Sequence, residues 1–123
     1  MKVLVTGDRN WIDREAIRFC LSKLQQQGYD SLVEGGARGA DTIAHEEALK
    51  LHYRSIEHFP AQWNRYGRAA GPIRNRTMLD QSKPNLVVYF HHNLAESKGT
   101  RDMVNYAISC RIKVINGMEV DHD

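Results

Sequence analysis

Short runs rich in β-branched residues alternate with helix-period patterns along the chain, and this alternation limits the fold more than any other feature. Residues 2–6, Lys-Val-Leu-Val-Thr, read as a strand stopped by Gly7. Asp13 can cap a helix whose apolar positions Ile17, Cys20, Leu21 and Leu24 follow the i, i+3, i+4, i+7 spacing, with Gly28 as its stop. Residues 31–34 form a second strand ended by Gly35-Gly36, and residues 40–52 a helix with Ile43, Ala44, Ala48 and Leu51 on one face. A weaker strand covers 55–59. Gly71-Pro72 places a glycine at a cap and a proline at the first helical position, which predicts a helix to about Ser82. Leu86 to Phe90 is the clearest strand. A helix from about Thr100 to Ser109 should bury Met103, Val104, Ala107 and Ile108, and residues 113–115 close the pattern as a last strand.

Strands separated by helices need crossovers, and right-handed crossovers make the strands parallel with helices on both faces. Five short strands and four helices therefore predict an α/β fold: a small Rossmann-like three-layer sandwich with a five-stranded parallel sheet, as a single domain over residues 1–123. Ligands of such sheets sit beyond the carboxyl ends of the strands, near the point where strand order reverses. The segments Thr6–Asn10, Gly35–Gly39 and His91–Thr100 each follow a strand, so all three should emerge on one edge. Charge adds little: 17 Lys+Arg against 15 Asp+Glu leave a net charge of +2, too mild for a dedicated duplex-DNA binder. The 41% hydrophobic and 26% charged fractions are those of a folded domain and exclude a disordered one. No apolar run approaches the roughly 20 residues of a membrane span, and the apolar start is too short for a signal peptide. Cys20 and Cys110 lie in helical patterns without CxxC spacing and read as two reduced core thiols. The expectation is a cytoplasmic protein with no membrane partner.

Three segments carry candidate chemistry. In Gly35-Gly36-Ala37-Arg38-Gly39-Ala40-Asp41, a glycine-rich strand-to-helix turn lets backbone amides approach an anion, and the following helix adds its dipole. Arg38 can clamp a phosphate with two hydrogen bonds. The plainer reading is a tight turn with Asp41 as a cap; no Walker A or GxGxxG pattern is present. From His58 to Leu79 there is no acidic residue, but Arg65, Arg68, Arg74 and Arg76 are interleaved with Trp63 and Tyr66. Guanidiniums for phosphate and aromatic faces for a base serve nucleotide or single-strand recognition, and Arg74 and Asn75 fall in a first helical turn with unpaired amides. In Ser97-Lys98-Gly99-Thr100, Gly99 permits close backbone approach, and the Thr100 hydroxyl can cap the helix or reach a phosphate.

Metal and nucleophile patterns are weaker. His45-Glu46-Glu47-Ala48-Leu49 lacks the second histidine of a zinc-protease helix. His91 and His92 should point to opposite faces, and no GxSxG or Cys–His signature occurs. No metal ligands are assigned. Asp8, Asp41 and Asp102 are the carboxylates nearest the expected crevice, each able to take a ribose hydroxyl or Mg²⁺.

Taken together, Val5-Thr6-Gly7-Asp8-Arg9, the Gly35–Asp41 run with Ala44, Trp63 through Gly71 to Arg74-Asn75-Arg76, and Gly99-Thr100 resemble the SLOG superfamily, in its YspA/cpYpsA-related branch of small bacterial and phage proteins. The resemblance covers nearly the whole chain and implies a Rossmann-like fold shared with the DNA-processing protein A (Smf) family and the Lonely Guy phosphoribohydrolases. Ala37-Arg38-Gly39 with Asp41, Ala44 and His45, and then Arg74-Asn75-Arg76, is similar to the single-strand-binding core of the former. Gly99-Thr100 resembles the Gly-Thr of the latter's PGGxGTxxE motif, but Ser97-Lys98 stands in place of its glycines and Met103 in place of its glutamate. Without that carboxylate, the resemblance implies capture of a nucleotide-derived ligand such as ADP-ribose, a cyclic derivative of it, or NAD. The expected ligand set is Gly7, Asp8, Arg9, Gly35, Gly36, Ala37, Arg38, Gly39, Asp41, Trp63, Arg74, Asn75, Gly99 and Thr100. Two alternatives stand beside it: a hydrolase cleaving an N-glycosidic or phosphate bond with Asp41 or Asp102 as general acid/base, and a single-stranded DNA binder. The family also raises a homodimer.

Overall fold

Successive residues of a strand face opposite sides of a sheet, and the first strand, β1 (Lys2–Gly7), buries both sides. Val3 and Val5 join one apolar cluster and Leu4 the other, all three fully buried. A computed structural model describes residues 1–120. It contains four further strands, β2 (Ser31–Glu34), β3 (Ser55–His58), β4 (Leu86–Phe90) and β5 (Lys113–Asn116), in the order β3-β2-β1-β4-β5 with every neighbouring pair parallel. This is the expected α/β architecture. The order reverses between β1 and β4, which places the switch point at the carboxyl ends of those two strands.

The helices divide between the faces. Helices α1 (Arg14–Gln26) and α2 (Ala40–Lys50) pack Ile17, Cys20, Leu21, Leu24, Ala44 and Ala48 against Val3, Val5, Leu32 and Val88. On the other face, α4 (Ala70–Ser82) and α5 (Lys98–Ser109) pack Met78, Leu79, Met103 and Ala107 against Leu4, Val33 and Val87. Each buried Ile, Leu, Val or Met side chain among these contributes about 1.5–3 kcal/mol relative to exposure. Asp13 caps α1, its side chain accepting from the Ala16 amide at 3.1 Å. No helix among the described residues is long and apolar enough to cross a membrane.

Several local expectations are corrected. The basic segment is broken into a single-turn helix, α3 (Trp63–Tyr66), a 3-10 turn (Gly67–Ala69) and then α4, which begins at Ala70. Gly71 and Pro72 thus lie inside its first turn and not at its boundary. Proline is tolerated there because the first four amides of a helix have no intrahelical acceptor. Helix α5 starts at Lys98, and its cap is Ser97, whose Oγ accepts from the Thr100 amide at 3.0 Å; Thr100 is itself buried. Ile108 is exposed, as is Cys110 just beyond α5, so only Cys20 is a core thiol. Helix α2 ends at Lys50 and β3 at His58, slightly short of expectation.

Candidate functional site

The turns after β1, β2 and β4 meet at the switch point around a crevice of about 300 Å³. Thr6, Gly7, Asp8, Arg9 and Asn10 line it from β1, Ala37 and Asp41 from the β2 turn, and His91 and Ser97–Thr100 from the β4 side; Arg74 and Asn75 reach in from α4. The lining is predominantly polar and carries both signs of charge. A second hollow adjoins it, formed by Arg9, Gly36, Ala37, Arg38 and Trp63 and sharing Arg9 and Ala37 with the crevice. Trp63 is 55% exposed there, an aromatic face open to solvent beside the exposed Arg38. Tyr66 lies elsewhere, in a groove with Phe59, Pro60 and Ile73.

The glycines have separate jobs. A Cβ on Gly7 would lie 2.5 Å from the Phe90 carbonyl oxygen and 2.7 Å from the Ala40 Cβ, so β4 and α2 leave no room for a side chain at Gly7. Gly39, at φ +73°, lets the start of α2 lie on the backbone of Asp8 and Arg9, where the Ala40 amide donates to the Asp8 carbonyl at 3.1 Å. Gly39 therefore works by packing, while Gly99 has open space where a Cβ would stand. Beside it, the first-turn amides of Lys98 and Gly99 have no intrahelical acceptor, which makes this helix end a natural anion seat.

The Gly35–Ala37 turn is held from four directions. Glu34 Oε1 accepts from the Gly36 amide at 2.6 Å, Asp41 Oδ2 accepts from the Ala37 amide at 3.2 Å, and the Thr42 hydroxyl donates to the Ala37 carbonyl at 2.7 Å. Arg74 donates to the Gly35 carbonyl, and its Nε donates to Asn75 Oδ1 at 2.9 Å. Burial pushes the Arg74 guanidinium pKa down, against the charges of Asp41 and Glu34. Arg74 is thus first a brace for the turn, with only part of its fork toward the crevice. Asn75 acts similarly on the other wall, donating to Asp102 Oδ2 at 2.9 Å and to the Gly99 carbonyl at 3.4 Å.

Among the carboxylates, Asp41 stands apart. Burial raises its pKa to about 7, against the opposing Arg74 charge and the Ala37 amide bond. Asp8 Oδ1 accepts from the Asn10 amide at 2.9 Å, and its Oδ2 lies 3.9 Å from His91 Nε2. Asp102 is not part of the crevice lining; its Oδ2 is shared by Asn75 and by Arg76, whose Nη1 is 2.8 Å away. Met103 is fully buried among Leu4, Val33 and Met78.

Of the sequence-derived set, Gly7, Asp8, Arg9, Ala37, Asp41, Arg74, Asn75, Gly99 and Thr100 share the crevice, Gly36, Arg38 and Trp63 the adjoining hollow, and Gly35 and Gly39 the scaffold behind them. Thr6, Asn10, His91, Ser97 and Lys98 were missed as lining residues, although Thr6 lies near the end of β1 and the other four in segments that follow a strand. Behind the β2 turn, Glu34, His45 and His58 come together with three metal-ligand atoms within 4.8 Å of one another. Separations of 11 and 24 residues from Glu34 hid this group from any spacing pattern.

Comparison with known proteins places this geometry in context. Residues 1–66 match the family model described as YspA, cpYpsA-related SLOG family. The chain is also similar to the Gene 61 protein of Mycobacterium phage D29, at 35% identity over 121 residues covering 94% of each chain.

Proposed function

The chain belongs to the YspA, cpYpsA-related SLOG family, a setting of nucleotide-related binding or processing, and from that premise we propose that it captures a nucleotide-derived ligand such as ADP-ribose, cyclic ADP-ribose or NAD. The convergence of the β1, β2 and β4 turns on one crevice at the switch point carries this reading. Phosphate oxygens fit the Lys98–Gly99 helix end and the β1 turn, with Arg9 and Arg38 as charged donors. Asp8 is suited to accept from ribose hydroxyls, or to hold Mg²⁺ alongside a phosphate. Trp63 offers a stacking face in the adjoining hollow, close enough to share Arg9 and Ala37 with the phosphate side. Mass spectrometry of small molecules released from the folded, purified protein tests the proposal. An intact nucleotide derivative supports it. Tight retention of single-stranded oligonucleotides with steep salt dependence and no base preference would replace it with strand binding.

A second reading rests on Asp41. A buried carboxyl with a pKa near 7, opening into a ligand crevice, is suited to general acid/base work at neutral pH. Met103 lies in the core where the phosphoribohydrolase pattern has its glutamate, and Asp102 is bonded to Asn75 and Arg76, so cleavage of an N-glycosidic bond would fall to Asp41. Incubation with AMP, NAD and ADP-ribose followed by chromatography separates the readings. Capture leaves each compound unchanged; product that vanishes in Asp41→Asn would establish the hydrolase instead.

A further inference from the structure

We propose that Glu34, His45 and His58 form a binding site for a divalent transition-metal ion of the zinc type, set directly behind the Gly35–Ala37 turn. Glu34 ends β2, and His58, its register partner, ends β3, while His45 comes from the middle of α2. One carboxylate oxygen, Glu34 Oε2, faces both imidazoles, 2.8 Å from His45 Nδ1 and 2.5 Å from His58 Nδ1. The other, Oε1, is occupied by the Gly36 amide at 2.6 Å, which orients the carboxylate as an outer-shell donor orients a metal ligand. The Glu34 side chain is only 1% exposed, and both imidazoles lie within hydrogen-bonding distance of its Oε2.

The donor set selects the ion. Two imidazole nitrogens with one carboxylate suit zinc and its neighbours, whereas Mg²⁺ and Ca²⁺ prefer all-oxygen surroundings. A tetrahedral ion with bonds of about 2.0–2.2 Å needs its ligand atoms about 3.3–3.6 Å apart. The two imidazole nitrogens must therefore move out from Glu34 Oε2 by about 0.5–1.1 Å; their side chains, 37% and 51% exposed, have solvent to move into, while the Gly36 amide keeps Glu34 pinned. Both border a cavity of about 240 Å³ that gives an ion its path and leaves a fourth position for water. Glu46 lines the same cavity, but its Oε1 is paired with Arg14 at 2.9 Å. Bound there, the ion would tie the ends of β2 and β3 to α2 and stiffen the turn that borders the crevice.

This inference is independent of the nucleotide reading, and its test uses no nucleotide. Protein stripped with EDTA is titrated with Zn²⁺ in competition with a chromophoric chelator, and Co²⁺ is added separately as a spectroscopic probe. One Zn²⁺ per chain is expected, with Co²⁺ giving the intense visible absorption of a tetrahedral site. His45→Ala and His58→Gln should each weaken Zn²⁺ binding at least about 10-fold, and the double variant should remove the Co²⁺ band. The exposed His52→Ala should leave both unchanged. His58→Gln keeps a hydrogen-bonding group for Glu34, and circular dichroism on each variant separates ligand loss from unfolding. Failure of the wild-type chain to take up one equivalent, or unaltered binding in the double variant, would overturn the site and leave the cluster as a carboxylate–imidazole hydrogen-bond network.

Discussion

Asp41→Asn should change how the stability of this protein depends on pH, by an amount that follows from the burial of one carboxyl group. Asp41 is 5% exposed, and its pKa rises from an ordinary 3.8 to about 7 because burial disfavours the charged form. The folded state therefore holds a proton that the unfolded chain has released throughout that interval. Stability from this group is complete below pH 3.8 and is lost as pH rises through about 7. Each pH unit of the gap is worth about 1.4 kcal/mol, so the full loss is about 4 kcal/mol. Glu47 works the other way. Burial opposes its charge, but hydrogen bonds from Arg14 and Lys50 prevail and hold its pKa below the ordinary value, so its contribution fades as pH falls. Wild type alone would show only the sum of these trends. The informative quantity is the difference between wild type and Asp41→Asn, since asparagine keeps an acceptor for the Ala37 amide and cannot ionise. Urea unfolding at pH 4.5 and pH 8 should show the variant gaining on wild type by several kcal/mol at the higher pH. Parallel pH profiles for the two proteins would refute the reasoning, because they would mean that Asp41 titrates alike in both states.

Other substitutions separate ligand contact from scaffold. Arg38→Ala and Trp63→Ala, both at exposed side chains, should weaken binding of the co-purified nucleotide derivative by about 1.5–3 and 1–3 kcal/mol respectively in calorimetry. Their melting temperatures should barely move. Gly7→Ala should destabilise by about 1–3 kcal/mol in denaturant titration, because the added Cβ meets the Phe90 carbonyl and the Ala40 side chain. An unchanged midpoint would show that β1 and β4 can separate freely there. Met103→Glu should cost several kcal/mol by burying a carboxylate in an apolar cluster. A variant that stayed folded and released free base from AMP would contradict the core position of that residue.

The layered architecture was legible in the residues because its signals are local. Apolar runs such as Leu86–Phe90 and the Ile17-Cys20-Leu21-Leu24 stripe declare strand and helix by their own periods, and parallel connectivity follows from the alternation. The meeting of three strand-following turns was equally legible, since in any parallel sheet those turns share an edge. The start of α4 was not. Gly71 and Pro72 signal a boundary locally, yet the helix runs from Ala70 because Ala70, Asn75 and Met78 are buried and the missing proline amide costs nothing in a first turn. Nor could residue types distinguish the arginines: Arg74 is drawn under the β2 turn to the Gly35 carbonyl, while Arg38 remains in solvent. The Glu34–His45–His58 group depends most on the fold. Strand register sets Glu34 beside His58, and packing of α2 brings His45 to the same oxygen. Register and helix packing are set by burial over the whole sheet, so a contact across 24 residues leaves no trace in the local pattern of either partner.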